Sequence, residues 1–296
     1  MKNIISYYYN FALEDLSINE KKDRYYFNIA NVNYAFIEVD RSIYEIEQIY
    51  SLTQTFYKCY KIILNIENKI LTMVDDRAYT LLVLHNEEKK GDLFQIDNLE
   101  LPLKKIEKLL RNNWVNLWSN KIDYFEYQLS HIEMKYPIIR DSMHYFIGLA
   151  EVAIAYINET LNTIKPEEVD RLTICRRRLV LDDFEYFNPF NLVIDHKSRD
   201  ISEYLKGIFW EDKYTHEEID LFIKKLHFSE FGYRLLMGRM LYPSFYFDMY
   251  ENVVNSKLEE KQLIYFLRRV REYEFFLTAI YDAIILERRI PKIEFL

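Results

Sequence analysis

The sequence predicts an α+β protein of two lobes, a strand-rich N-terminal lobe followed by a larger helical lobe. Three observations predict it. Apolar residues alternate with polar ones through much of residues 1–85; residues 86–100 turn polar; and from residue 101 onward apolar positions recur at helical spacing. The boundaries are set accordingly: residues 1–85 as a strand-rich lobe with one helix, 86–100 as hinge or linker, and 101–296 as the helical lobe.

In chain order, Tyr25, Phe27, Ile29 and then Tyr34, Phe36, Ile37, Val39 have strand character, and Asn31 to Asn33 is the turn of a hairpin. The period then changes: Ile43, Ile46, Tyr50, Thr53 and Tyr57 share one helical face within residues 41–60. Strands follow at 62–66, 70–74 and 79–84, with Asp75-Asp76 as the turn between the last two. The run Asn86 to Asp92 is the best linker candidate. Pro102 suits a first helical turn, with Leu103, Ile106, Leu110 and Leu117 as its stripe. A second helix carries Ile122, Phe125, Leu129 and Ile132 and stops before Pro137; a third, about 138–161, is apolar nearly all round and reads as buried. His144 and Glu151 on that helix read as a core pair. Residues 171–196 break the helical run with short strands. Thr215 with Glu218 and Ser256 with Glu259 are capping-box patterns, and the last helix spans about 257–287.

Composition limits the function classes. The net charge of −8 argues against a dedicated nucleic-acid binder, which needs a basic face. The two cysteines, Cys59 and Cys175, lack metal spacing, so a reducing compartment is the default and no disulfide framework is expected. The longest near-apolar run, Met143 to Ile157, is too short to cross a bilayer and carries His144 and Glu151, so no membrane insertion is expected. The N-terminus shows no apolar leader, so no signal peptide is expected. Twenty-six tyrosines and 20 phenylalanines fit AT-rich codon usage better than an aromatic binding face.

The chemistry-bearing stretch is Ile174 to Asp200. An apolar run, Leu192-Val193-Ile194, delivers Asp195 to its end, and Asp200 follows just before a helix. This is how a kinase-like fold places its magnesium-binding aspartate. Kinase spacing sets the metal-binding asparagine about thirteen residues earlier and the catalytic aspartate about five before that. Those positions are Asp182 and Arg177, so Cys175-Arg176-Arg177 stands where a small-molecule kinase has His-Gly-Asp. An arginine cannot accept a proton at neutral pH. Asp182 and Asp195 remain as a carboxylate pair for magnesium. A second register, Asp183 with Asn188, also has the right five-residue spacing but leaves too short a stretch before Asp195 for the usual hairpin. The strand ending in Ile37-Glu38 lacks the phosphate lysine, Glu45 and Glu47 lack a lysine partner, and no glycine falls within residues 1–90. The bases Arg176, Arg177, Arg178, Lys197 and Arg199 are nearly balanced by Asp182, Asp183, Asp195 and Asp200, which reads as an ion-pair network rather than an anion pocket. His196 with Asp200 lacks a third metal ligand at helical spacing.

At these residues the chain resembles the kinase-like endospore coat proteins (CotS/YutH-type) of low-GC Gram-positive bacteria, in particular the YutH branch. The matching stretches are Trp114 to Asp123, Tyr145 to Tyr156, Cys175 to Arg178, Asn188 to Tyr204 and Gly238 to Asp248. The resemblance implies an aminoglycoside-phosphotransferase-like fold and a role in spore coat assembly. Other coat proteins are then the implied partners, and the implied route is cytoplasmic synthesis followed by incorporation into the coat. It carries over Asp195 as the metal position with Asp182 as partner. The leading expectation is a non-catalytic scaffold. The alternatives are a divergent small-molecule kinase using ATP and magnesium through Asp183 and Asp195, and a pseudokinase that binds nucleotide without turnover.

Overall fold

The alternating segments near the N-terminus form an antiparallel sheet whose strands are joined by the tightest hairpins available. In the computed structural model, which describes residues 1–85, 93, 94, 96–132, 134–179 and 183–294, β1 (Asn19–Lys21), β2 (Arg24–Ile29) and β3 (Val32–Glu38) pair in succession. After α2 (Ile43–Thr53) come β4 (Lys61–Ile63), β5 (Thr72–Val74) and β6 (Arg77–Val83). The sheet order is β1-β2-β3-β6-β4, with β5 also on β6. Each hairpin turn places two residues at positive φ: Lys22-Asp23, Ala30-Asn31 and Asp75-Asp76. This is the backbone of a mirror-image two-residue turn, whose twist matches that of the strands it joins. The Asp75-Asp76 turn falls where the sequence predicts it. The β2–β3 turn is Ala30-Asn31 rather than Asn31 to Asn33, because Val32 already pairs with Ile29.

A short helix, α1 (Lys2–Tyr9), precedes the sheet and has no counterpart in the sequence reading. Its Ile5 and Tyr9, one turn apart, join Phe27, Phe36, Val74, Tyr79 and Leu81 in one apolar cluster. α2 is shorter than residues 41–60 because Ser42 and Glu45 close a capping box at its start and the chain leaves the helix after Thr53.

Two compact units result: Met1–Leu110 with Ile174–Ile194, and Arg111–Thr173 with Asp195–Leu296. The polar linker candidate, residues 86–92, lies outside the described residues. The helix expected from Pro102 is replaced by two 3-10 turns, Leu103–Lys105 and Glu107–Leu109, before Leu110 makes a parallel bridge to Ile194. Ile106 and Leu109 are fully buried there, so two apolar anchors and one strand-like bridge set the backbone.

In the second unit α3 (Trp114–Ile132) takes in Leu117 as well as the predicted stripe, and α4 (Pro137–Thr163) begins at its proline. α4 buries Ile139, Met143, Phe146, Ala150, Ala153 and Ile157 along one face. Its other face is exposed, including Tyr145, Val152, His144 and Glu151, so the expected core pair of His144 and Glu151 does not form. After β7 (Thr173–Arg176), α5 (Asp183–Phe187) and β8 (Leu192–Asp195) come α6 (Ser198–Trp210) and α7 (His216–Lys224), the latter starting in the predicted Thr215–Glu218 capping box. The helix buried all round is α8 (Glu230–Leu241), in which every residue from Phe231 onward is buried. α9 (Ser244–Val254) follows. The last helical stretch is interrupted: a 3-10 turn at Glu260–Gln262, then α10 (Leu263–Arg268) and α11 (Val270–Glu287). Ser256 has positive φ and caps nothing, since Glu259 stands at the start of the 3-10 turn. Arg269, at the break, lays its guanidinium over Phe209 and Trp210 and pairs with Asp212 and Glu272.

Candidate functional site

β8 is a four-residue strand buried along its whole length, and it ends in Asp195. An apolar strand leaves its last side chain deep in the protein, so this carboxylate must find partners there. It finds four. Arg199 Nη1 lies 2.8 Å from Oδ2 and Arg239 Nη2 2.7 Å from the same oxygen. The Trp114 indole N–H donates at 3.0 and 3.1 Å to the two oxygens, and the His196 backbone N–H donates to Oδ1 at 2.7 Å. Asp195 is 0% exposed. Arg199 is presented by the first turn of α6, which begins three residues past Asp195 and so sets the pair at i, i+4 spacing. Arg239 comes from α8 and also lies over the Trp114 ring, 4.9 Å from its centroid. The close approach of α8 to α4 is set by Gly238, where a Cβ would fall 2.5 Å from Ile157 Cδ1.

Trp114 and Arg239 are the partners that sequence reading missed. The signal was present. Arg239 is a lone charge inside Leu235-Leu236-Met237-Gly238-Arg239-Met240-Leu241, and a charge in a buried helix needs a counter-ion. A buried tryptophan likewise needs an acceptor for its N–H.

A second buried polar group sits at the other end of α8. Ser229, its N-cap, donates to both Asp170 oxygens at 2.7 and 2.6 Å and accepts the Gly232 N–H. His196 Nδ1 accepts the Ser198 N–H at 3.0 Å, which leaves the proton on Nε2, 3.4 Å from Asp170 Oδ1. The Glu167 N–H donates to Asp170 at 2.6 Å. Burial pushes the Asp170 carboxyl up, but the hydrogen bonds from His196, Ser229 and the Glu167 N–H outweigh it and hold the group below its ordinary value. Gly232 makes room for this arrangement, since a Cβ there would stand 3.0 Å from Asp170 Oδ1. His196 is thus tied to Asp170, while Asp200 takes Lys197 at 3.3 Å, so two pairs of the predicted network, Arg199–Asp195 and Lys197–Asp200, form in this unit.

The first unit holds the other predicted residues. Cys175 and Arg176 are fully buried. The Arg176 guanidinium lies 4.0 Å from the Tyr186 ring centroid, and its Nε donates to the Tyr186 carbonyl. Arg177, where the first register expects the catalytic aspartate, is exposed and donates its backbone N–H to the Asn191 carbonyl. Asn188 caps the 3-10 turn Pro189–Asn191, accepting the Phe190 N–H and donating to Glu185. Asp182 lies outside the described residues, and Asp183 is described only as the first residue of α5. Glu45 pairs with Arg41 at 3.0 Å. Arg41 in turn donates to the carbonyls of Phe190 and Leu192, tying the start of α2 to this segment.

α5 covers part of the sheet. Phe184 packs against Tyr26 and Tyr60, and Phe187 against Tyr60 and His85. The Phe187 carbonyl accepts the Tyr60 N–H at 2.8 Å. Arg24 lies over Phe184 and pairs with Glu185.

Among the described residues the surroundings of Asp195 do not suit a divalent metal, and Asp182 lies outside them. Two guanidinia and an indole N–H hold the Asp195 oxygens, and among the described residues there is no group of three or more His, Cys, Asp or Glu placed to share an ion. Among the described residues no helix is long and apolar enough to cross a membrane.

Comparison with known proteins agrees with the architecture. The sequence model of the family described as "Spore coat putative kinase YutH" matches residues 2–280, and the chain belongs to that family. The endospore coat-associated protein YutH of Bacillus subtilis (strain 168) is 31% identical over 186 residues, which is 56% of this chain and 55% of that one. The match therefore spans about half the length of that relative. Among solved structures, spectinomycin phosphotransferase in its AMP-bound complex superposes with a TM-score of 0.55 at 12% identity, covering 94% of this chain and 96% of that one. Amicoumacin kinase gives 0.54 at 13%, covering 95% and 92%. An aminoglycoside phosphotransferase from Alicyclobacillus acidocaldarius gives 0.52 at 13%, covering 95% of each. At these identities the likeness establishes the kinase-like two-lobe α+β fold.

Proposed function

We propose that this member of the spore coat family is a structural or assembly component of the endospore coat, made in the cytoplasm and then incorporated, with other coat proteins as its partners. In this reading the phosphotransferase fold works as a scaffold and transfers no phosphoryl group. The coat assignment rests on the family and on its endospore coat-associated relative from B. subtilis.

The reading of no catalysis is supported by one observation above the rest: the protein's own aromatic rings cover part of the sheet. In a kinase fold the N-terminal sheet covers the nucleotide through a glycine-rich loop and a strand lysine. Here Phe184 and Phe187 lie against Tyr26, Tyr60 and His85, and all but Tyr26 and His85 are buried. Arg177 at the base position and the guanidinium-bound Asp195 support the same reading.

Fractionation of purified spores tests the coat assignment. Immunodetection should recover the chain with the extracted coat layers. Recovery in the core alone would contradict the reading.

A further inference from the structure

We infer that the end of β8 is a guanidinium site filled by the chain itself: Arg239, seconded by Arg199, is the resident cation of Asp195, and the surrounding rings favour a flat cation over a hydrated divalent ion. This goes beyond the proposed function and does not depend on it, because it concerns which cation the carboxylate takes, whatever the sheet does with nucleotide.

The geometry has three parts. The charge is supplied twice, by Arg239 at 2.7 Å and Arg199 at 2.8 Å from one carboxylate oxygen, with side-chain exposures of 7% and 15%. The shape is supplied by aromatic walls. The Arg239 guanidinium lies 4.9 Å from the Trp114 ring centroid and 6.0 Å from that of Trp118. Trp118 is itself stacked on Tyr242 at 4.3 Å and 13°, which fixes the wall. The orientation of the carboxylate is supplied by the Trp114 and His196 N–H donors.

A guanidinium is planar, weakly hydrated and always charged, so it can be enclosed between a ring and a carboxylate at small desolvation cost. Magnesium gives up its waters reluctantly and asks for several oxygen ligands in octahedral array. Among the described residues the pocket offers the Asp195 carboxylate, two fixed positive charges and indole walls, which meets the first set of needs and opposes the second. The same carboxylate position that binds metal in active members of the fold class is here neutralised from within.

Chemical rescue of the full-length chain tests this. Arg239→Ala should lower the thermal midpoint by roughly ten degrees, as expected for a buried carboxylate losing a partner in a chain of this size. Methylguanidinium chloride at about 20 mM, far below denaturing concentration, should restore part of that loss relative to sodium chloride at equal ionic strength. Magnesium or manganese chloride at the same concentration should restore none of it. Arg239→Lys, which keeps the charge and loses the plane, should stay below the wild type; it carries the same additions if the alanine variant does not fold. A midpoint raised by magnesium in the variant, or in the wild type and lost with Asp195→Asn, would overturn the inference. So would methylguanidinium acting no better than sodium, or a lysine variant as stable as the wild type. ATP turnover by the wild-type chain would instead sink the proposed function, and leaves the cation preference to be read from these additions.

Discussion

Asp170 shows how a buried acid is kept charged. Its carboxylate is held below the ordinary range because the hydrogen bonds of His196, Ser229 and the Glu167 N–H outweigh the opposing effect of burial. A carboxyl whose folded pKa is depressed adds stability above its unfolded value of about 3.9 and loses that contribution as pH falls through the folded value. Asp170→Asn should therefore be less stable than the wild type at neutral pH, and the gap should shrink below about pH 4; urea melts across that range measure it. An equal gap at every pH would mean that packing, not charge, is what Asp170 supplies. Cys59 is the opposite case. Burial pushes its thiol up to about 12, against a smaller lowering by Arg176, and its S–H donates to the Phe56 carbonyl. The native protein should leave Cys59 unmodified by a thiol reagent at pH 8, with reaction appearing only as the chain unfolds.

At the scale of elements, the hairpins are built without glycine. Ala30 stands at φ 50° in the β2–β3 turn, a conformation that costs an L-residue roughly 1–2 kcal/mol. Ala30→Gly should thus stabilise the protein by about 1 kcal/mol, readable as a higher denaturation midpoint with an unchanged slope. A loss of stability would show that the turn is not of this type. The same elements show what could be read from sequence. The hairpin β2–β3, the Asp75-Asp76 turn and the Thr215 cap were legible because each depends on neighbours a few residues away. α1 was not legible, because eight residues form a helix only when Ile5 and Tyr9 have a sheet to pack on. The 3-10 turns after Pro102 and the break at Arg269 depend on distant partners, Ile194 for one and Phe209 and Trp210 for the other. At the site, Asp195 was found from its strand, while Trp114 and Arg239 lie far from it in sequence and meet it only in the fold.

At the scale of the whole molecule, the phosphotransferase-like fold and the spore coat family are established, and the proposed loss of catalysis rests on a set of local features. Arg177 stands where kinase spacing leads one to expect the base, rings cover part of the sheet, and arginines hold the strand-end aspartate. None of these features disturbs the architecture, because each is a packing or ionic contact made within it.

The most direct test of this account is a thermal melt of the full chain with and without several millimolar ATP and magnesium. A ligand at about 100 times its dissociation constant adds about 2.7 kcal/mol, which at this chain length raises the midpoint by several degrees. The account predicts no shift. A magnesium-dependent rise that Asp195→Ala removes would contradict it.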